Sequence, residues 1–235
     1  MMRTIITLGR PQAYEFTDAV HAAIVQALTR SGIPAARLIG VAAAPWTFGI
    51  GGRRIARKLS TLRTLTISTT DAEIGDAFRR LEPDAMSRPG SQPPLDFSTA
   101  RKTLPFRPAF GPEALFYFAS PFVVSIGPKT VRTKTQHATT LSGIDLSAAF
   151  SRGLSRRLGR DVGLDVAVDP LTLRTEGAAP RVVPVRRTPG RRDIYFPAFA
   201  LPLTVRGRPE DIEAAYFAGL GEKTRYGFGC PILPR

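Results

Sequence analysis

The chain has 235 residues, 43% of them hydrophobic, enough for one large domain or two small ones with real cores. Lys and Arg number 33 against 19 Asp and Glu, a formal net charge of +14, and the lone Cys230 excludes a disulfide framework or a Cys-clustered zinc site. No run approaches the ~18 apolar residues of a membrane span and the N-terminus lacks a signal-peptide pattern, which leaves the expectation of a cytoplasmic protein, off the membrane, that faces a polyanion.

In chain order, Met2 to Leu8 reads as a strand ended by Gly9 and Pro11. Thr17 or Asp18 can cap the next element, a helix in which Val20, Ala23, Ile24, Ala27 and Leu28 recur at helical spacing until Ser31-Gly32. A short apolar stretch at Trp46-Thr47-Phe48 precedes a strand over Leu59–Ser68. Asp71 caps a second helix with Ile74, Ala77, Phe78 and Leu81 as its stripe. That order suits a split βαβ, ferredoxin-like unit. Between Glu82 and Pro112 the composition shifts to Pro, Gly and Ser, a linker with one strand around Leu95–Leu104. Beyond it the spacing predicts a strand region over Ala114–Ile126, a helix over Ile144–Leu158, and strands over Val162–Leu173, Arg181–Arg187 and Ile194–Arg206. A helix opened by Pro209 runs through Ala218, and a glycine-rich loop and short strand close the chain. The expected class is α+β, two tandem units, with domains at 1–104 and 113–235.

The most informative segment is Gly219-Leu220-Gly221-Glu222-Lys223-Thr224-Arg225-Tyr226-Gly227-Phe228-Gly229. Four glycines directly after a helix permit positive φ and close backbone approach, and Lys223 and Arg225 add cations, the makings of an anion nest. The spacing fits neither a Walker loop nor a dinucleotide fingerprint. A helix cap followed by a tight hairpin is the plainer alternative, which explains Gly219 or Gly221 but not the density of the rest.

This loop closely resembles the C-terminal glycine-rich loop, Gly-x-Gly-x-Lys-x-x-x-Gly-Phe-Gly, of the CRISPR precursor-RNA processing endoribonucleases (the Cas-six family of the RAMP superfamily). Pro45-Trp46-Thr47-Phe48 is similar to that family's aromatic-Thr-aromatic motif, Ile67-Ser68-Thr69-Thr70-Asp71 to its strand-to-helix junction, and Ala119-Ser120-Pro121-Phe122 to the Ser-Pro motif opening its second half. The resemblance implies two tandem ferredoxin-like (RAMP/RRM-like) folds, metal-independent cleavage of CRISPR repeat RNA by 2′-hydroxyl attack with a 2′,3′-cyclic phosphate product, and retention of the mature RNA. It implies no cofactor. Its implied partners are precursor and mature CRISPR RNA, with other Cas effector subunits as further candidates.

Such chemistry needs a base, an acid and positive charge on the phosphorane. Only two histidines exist. His21, on the flank of the first helix, is the candidate catalytic residue, since several branches of the resembled family carry theirs on this helix. The plainer reading is a partly buried histidine satisfied by a backbone carbonyl. The position before the aromatic-Thr motif, where other branches place theirs, holds Leu38-Ile39-Gly40 instead. His137 is the lesser candidate, and Arg37, Arg53, Arg54 and Lys58 are the reserve. For RNA contact, Arg152, Arg156 and Arg160 fall at i, i+4 and i+8 of the helix from Ile144, with Arg157 adjacent, a cationic stripe with almost no acids between. Arg53, Arg54 and Lys58 follow the Gly51-Gly52 pair. Gly219, Gly221, Lys223, Arg225 and Gly227 complete the set. Arg181, Arg186, Arg187, Arg191 and Arg192 surround Thr188-Pro189-Gly190, a basic hairpin tip or an ordinary charged turn. Asp161, Asp165 and Asp169 read as a polar strand face pairing with arginines, not as a metal site. Two other classes remain open: a non-catalytic RNA-binding RAMP subunit, and a generic basic protein of ribosome or nucleoid.

Overall fold

The computed structural model describes residues 1–40, 44–56, 59–126, 136–175, 179–187, 190 and 192–234. Lys58, Thr188, Pro189 and Arg191, singled out above, lie outside the described residues.

Strand β1 (Met2–Tyr14) runs past Gly9 and Pro11 instead of stopping there. A bulge between Thr7 and Gln12 absorbs the irregularity, and the Gln12 side chain pairs with the backbone of Asp96. Helix α1 (Thr17–Arg30) buries the predicted stripe of Val20, Ala23, Ile24, Ala27 and Leu28. Phe16 holds its cap position with no side-chain cap bond, so neither Thr17 nor Asp18 plays that part. After the single turn α2 (Ala35–Leu38), the Trp46 stretch forms strand β2 (Trp46–Gly51). Its first four residues are all buried, so it shows none of the alternation that marks a strand in sequence. Strand β3 (Ser60–Thr69) leads to α3 (Ala72–Arg80), where the Asp71 carboxylate accepts from the Ile74 amide at 2.9 Å, the expected cap. Of the linker strand, β4 (Arg101–Thr103) joins the sheet, while Leu95 forms a lone antiparallel bridge with Arg88. These strands form one antiparallel sheet in the order β2-β3-β1-β4, the ferredoxin-like βαββαβ arrangement.

The pattern repeats in the second half. Strand β5 (Glu113–Ser120) is followed by a two-residue hairpin, β6 (Ser125–Ile126) with β7 (Gln136–His137), and by helix α4 (Leu146–Leu158). Strand β8 (Leu164–Val168) then ends early. Pro170 opens a helical turn, α5 (Pro170–Thr175), and the Asp169 carboxylate accepts from the amide and hydroxyl of Thr172, so the expected strand to Leu173 stops at the proline. The Ile194–Arg206 segment is likewise two strands. Strand β9 (Arg181–Arg186) pairs with β10 (Ile194–Ala198) as a separate ribbon, and the chain then crosses Pro202 and joins the main sheet as β11 (Leu203–Gly207). Helix α6 (Pro209–Ala218) and strand β12 (Cys230–Ile232) complete an antiparallel sheet in the order β12-β5-β11-β8. The fold is therefore two tandem ferredoxin-like units, each with its own apolar core.

Two polar bridges and one close approach of strands help fasten the units. Arg3 is 5% exposed, lies 3.5 Å over the Tyr216 ring, and donates to the Tyr216 carbonyl at 2.7 Å and to Ser68 Oγ at 3.3 Å. Ser120 Oγ donates to the Phe48 carbonyl at 3.1 Å. A Cβ on Gly49 would sit 2.5 Å from that of Ala119, so β2 and β5 touch only because this residue is glycine.

At the start of α6, the fully buried Asp211 carboxylate accepts from Arg160 at 2.5 Å and from Arg208 at 2.8 Å. Burial alone would raise its pKa, but the two guanidiniums outweigh it and hold the carboxyl below its usual range. The pair's contribution is complete above the unfolded carboxyl pKa of about 4 and disappears as pH falls through the lower folded value. Asp211→Asn is expected to destabilise by about 2–3 kcal/mol at neutral pH, below the range for a fully dry pair because both arginines keep water. Urea melts at pH 7 and pH 3 check it: the difference between variant and parent narrows at the lower pH.

Candidate functional site

The glycine-rich turn between α6 and β12 folds back on itself. Leu220 N donates to the Gly229 carbonyl at 2.8 Å, Gly229 N to Pro121 at 2.9 Å, and Glu222 N to Val123 at 2.8 Å. Gly219, Gly221, Gly227 and Gly229 all have positive φ, as does Lys223 at 58°. The sequence reading set these glycines against an anion. In the structure, the space each leaves is occupied by protein: a Cβ on Gly219 would lie 2.9 Å from that of Thr47, one on Gly221 2.6 Å from the Val123 carbonyl oxygen, and one on Gly227 2.7 Å from the Phe48 ring. The Thr47 hydroxyl lies 3.3 Å from the Thr224 carbonyl and 3.1 Å from the Phe228 carbonyl. Phe228 packs with Val123, Val185 and Ala198, which brings the β9–β10 ribbon against the same turn. The aromatic-Thr-aromatic stretch and the turn are thus two halves of one joint.

The turn's side chains are less enclosed than its backbone. Lys223 is half-buried, with Nζ 5.7 Å from the centre of the Phe196 ring. Arg225 is half-buried too. Burial lowers its pKa, and its Nη1 has no hydrogen-bond partner among the described residues.

The cationic stripe on α4 divides. Gly159 ends the helix in the left-handed conformation, so Arg160 leaves the helical face and turns to Asp211. Arg157 points inward, donating to the Gly221 carbonyl at 2.6 Å and the Gly219 carbonyl at 2.7 Å. Burial, then the neighbouring Arg225, pull its pKa down to about 10. It braces the turn from behind. Of the helix arginines only Arg152 and Arg156 are exposed, so where a row of three guanidiniums was expected the helix presents two. Arg53 and Arg54 are exposed just after β2, the Arg53 amide donating to Thr61 Oγ1 at 2.9 Å and Arg54 Nε to the Ala56 carbonyl at 3.1 Å. Arg37 is committed to Asp71 and Glu73.

His21 sits where α1, β2 and the turn meet. It is 6% exposed. Its ring stacks on Trp46, centroids 5.8 Å apart and planes within 6°, and Tyr226 of the turn lies 4.8 Å away on a 30° tilt. Nδ1 is 3.8 Å from Asp18 Oδ1, and Nε2 is buried with no hydrogen-bond partner among the described residues. Among the described residues no carbonyl satisfies the ring, contrary to the plainer sequence reading. Asp18 in turn accepts from Arg186 Nε at 3.0 Å and Nη2 at 3.2 Å, while the adjacent Arg187 meets Glu15 and lies over Phe16. Burial would raise the Asp18 pKa, but the nearby His21 ring and the bonds from Arg186 prevail and hold it below the usual carboxylate range. The structure thus brings His21 to the glycine turn. His137 meets other groups, edge-on to Phe196 at 4.6 Å with Nδ1 3.5 Å from Ser125 Oγ, which also bonds Glu222 of the turn at 2.7 Å.

The sequence did not place Asp18, Arg186 and Tyr226 around His21, although Arg186 stood out in the basic segment. Asp18 precedes His21 by one helical turn, a spacing that places the two side chains together, so it was within reach. Arg186 had no such local signal. Among the described residues no group of three or more His, Cys, Asp or Glu could hold a metal ion, and no helix is long and apolar enough to cross a membrane.

Comparison with known proteins bears on this arrangement. The profile of the family described as CRISPR associated protein Cas6, C-terminal, matches residues 107–231. A comparison with curated proteins returns no match. Among solved structures, a RAMP protein that binds different RNA substrates superposes with a TM-score of 0.70 at 17% identity, covering 100% of both chains. The product of a Cas6-related gene from Pyrococcus furiosus gives 0.67 at 16%, over 100% of this chain and 98% of that one. A Cas6 product complex gives 0.56 at 19%, over 98% of each. At these identities the likeness establishes the tandem ferredoxin-like fold.

Proposed function

Because this chain belongs to the Cas6 C-terminal family, we propose that it is an endoribonuclease that cuts CRISPR repeat RNA and keeps hold of the mature product. The single observation that carries the reading is the buried Nε2 of His21, without a hydrogen-bond partner among the described residues, at the junction of α1, β2 and the glycine turn. Leaving a buried polar atom without a partner costs about 1–3 kcal/mol, a sacrifice that makes sense where a substrate completes the bond. In this mechanism Nε2 takes the proton of a ribose 2′-hydroxyl. The 2′-oxygen bonds to the adjacent phosphorus, the bond from phosphorus to the 5′-oxygen breaks, and a proton reaches that departing oxygen. The products are a 2′,3′-cyclic phosphate and a 5′-hydroxyl. Lys223 and Arg225 supply positive charge to the phosphorane from the turn. Arg152, Arg156, Arg53 and Arg54 supply exposed guanidiniums for the RNA backbone, tracking shape more than base sequence.

The experiment is incubation of the protein with its cognate repeat RNA in EDTA, followed by mapping of the product ends. A single cut with a 2′,3′-cyclic phosphate is the expected result. The enclosure of the His21 ring favours a second reading, an RNA-holding subunit without nuclease activity. Tight, salt-sensitive binding of uncut RNA in the same assay selects that reading and removes the first.

A further inference from the structure

We propose that Asp18, clamped by Arg186 of the β9–β10 ribbon, is the positioning residue that fixes the His21 imidazole with its proton on Nδ1, leaving the Nε2 lone pair for the substrate hydroxyl. The inference rests on the nuclease reading for its catalytic meaning, but its structural content stands apart from it.

The geometry points one way. The imidazole packs against both Trp46 and Tyr226, which restricts rotation of the ring. Nδ1 looks toward Asp18 Oδ1 at 3.8 Å, while Nε2 meets no partner among the described residues. A carboxylate accepts hydrogen bonds and does not donate when ionised, so the nitrogen it faces is the one that carries hydrogen in a neutral ring. Both Asp18 oxygens accept from Arg186, in the two-pronged manner that fixes a carboxylate plane. The arrangement is a relay of orientation: guanidinium, carboxylate, imidazole, open lone pair. It is the logic by which a third group aims a general base.

It also joins the two units in function. Asp18 and His21 stand on the first unit's opening helix, Arg186 on a ribbon inserted in the second, and Tyr226 on the second unit's glycine turn. The charged or titratable groups recorded around the ring are Asp18, Tyr226 and, through Asp18, Arg186; β2 contributes the neutral Trp46. Among them Asp18 is the one whose proximity is to a single ring nitrogen, Nδ1, at 3.8 Å.

The test is nitrogen-15 NMR of the histidine side chains in the RNA-free protein with both rings neutral. With two histidines in the chain, a His137→Gln variant assigns the signals. The parent is expected to show His21 as the Nδ1–H tautomer, and Asp18→Asn to shift it toward Nε2–H. In single-turnover cleavage, Asp18→Asn is expected to lose about 10²-fold in rate with RNA affinity within twofold of the parent, and Arg186→Gln, which keeps the carboxylate but frees its plane, about tenfold. An Nε2–H tautomer in the parent overturns the proposal, as does an Asp18→Asn protein with unchanged tautomer and rate. If Asp18→Asn does not fold, the parent spectrum still decides. A protein that shows the Nδ1–H tautomer yet never cuts RNA defeats the nuclease reading and leaves the positioning of the ring intact.

Discussion

Replacing His21 with alanine is expected to slow single-turnover cleavage of the repeat RNA by about 10²–10⁴-fold, the span attributable to a positioned general base, while RNA affinity stays within a few-fold of the parent. The separation of the two numbers follows from where the residue sits. The ring is 6% exposed and contributes one nitrogen to the interior of the joint, whereas Arg152, Arg156, Arg53 and Arg54 lie exposed on other elements. On the proposed nuclease reading, removing it would subtract an interaction made in the transition state and little of the electrostatic attraction between RNA and a protein of net charge +14. Rate constants at saturating protein, beside filter-binding isotherms, check the prediction. A His21→Ala protein that cuts at the parental rate would remove this histidine from the mechanism altogether.

The largest effect on stability is expected at Gly229. Its φ is +60°, and a Cβ built there would lie 1.7 Å from the Leu220 carbonyl oxygen, a distance no rotamer change can relieve because both partners are backbone. Its amide and carbonyl already close the turn through Pro121 and Leu220. Adding left-handed backbone strain of about 1–2 kcal/mol to overpacking of about 1–3 kcal/mol predicts that Gly229→Ala destabilises by about 2–5 kcal/mol. Since the same turn presents Tyr226 to His21, cleavage should fall with it even where the protein remains folded. Gly90→Ala is the control: nothing lies within 4 Å of its Cβ position, and a change within about 0.5 kcal/mol is expected. Urea melts of both variants separate a demand of this turn from a general intolerance of the fold.

Much of the architecture was readable because its signals are local. The stripes of α1 and α3, the Asp71 cap and the Pro209 start each lie within a few residues of the element they specify. The failures share a cause in long-range pairing. Strand β2 is buried throughout its first four residues and so carries no alternation, and the break between β10 and β11 depends on one segment pairing with β9 and the next with β5. The site divides the same way. His21 and the turn could be chosen separately from spacing and motif, but nothing in the sequence says that Tyr226 reaches the His21 ring. Gly159 was a legible stop signal, and it alone foretells that Arg160 cannot extend the α4 row. The inward turn of Arg157 to two carbonyls was not legible, since an arginine aimed at backbone looks the same in sequence as one aimed at water.

Trp46 is the chain's sole tryptophan, fully buried, with its indole nitrogen donating to the Leu38 carbonyl at 3.0 Å and its face toward His21. The molecule therefore carries a built-in optical probe at the spot where its two halves close around the imidazole. Emission from a single fluorophore, free of background from any other indole, can follow entry of a ligand or parting of the halves in real time, with no label attached.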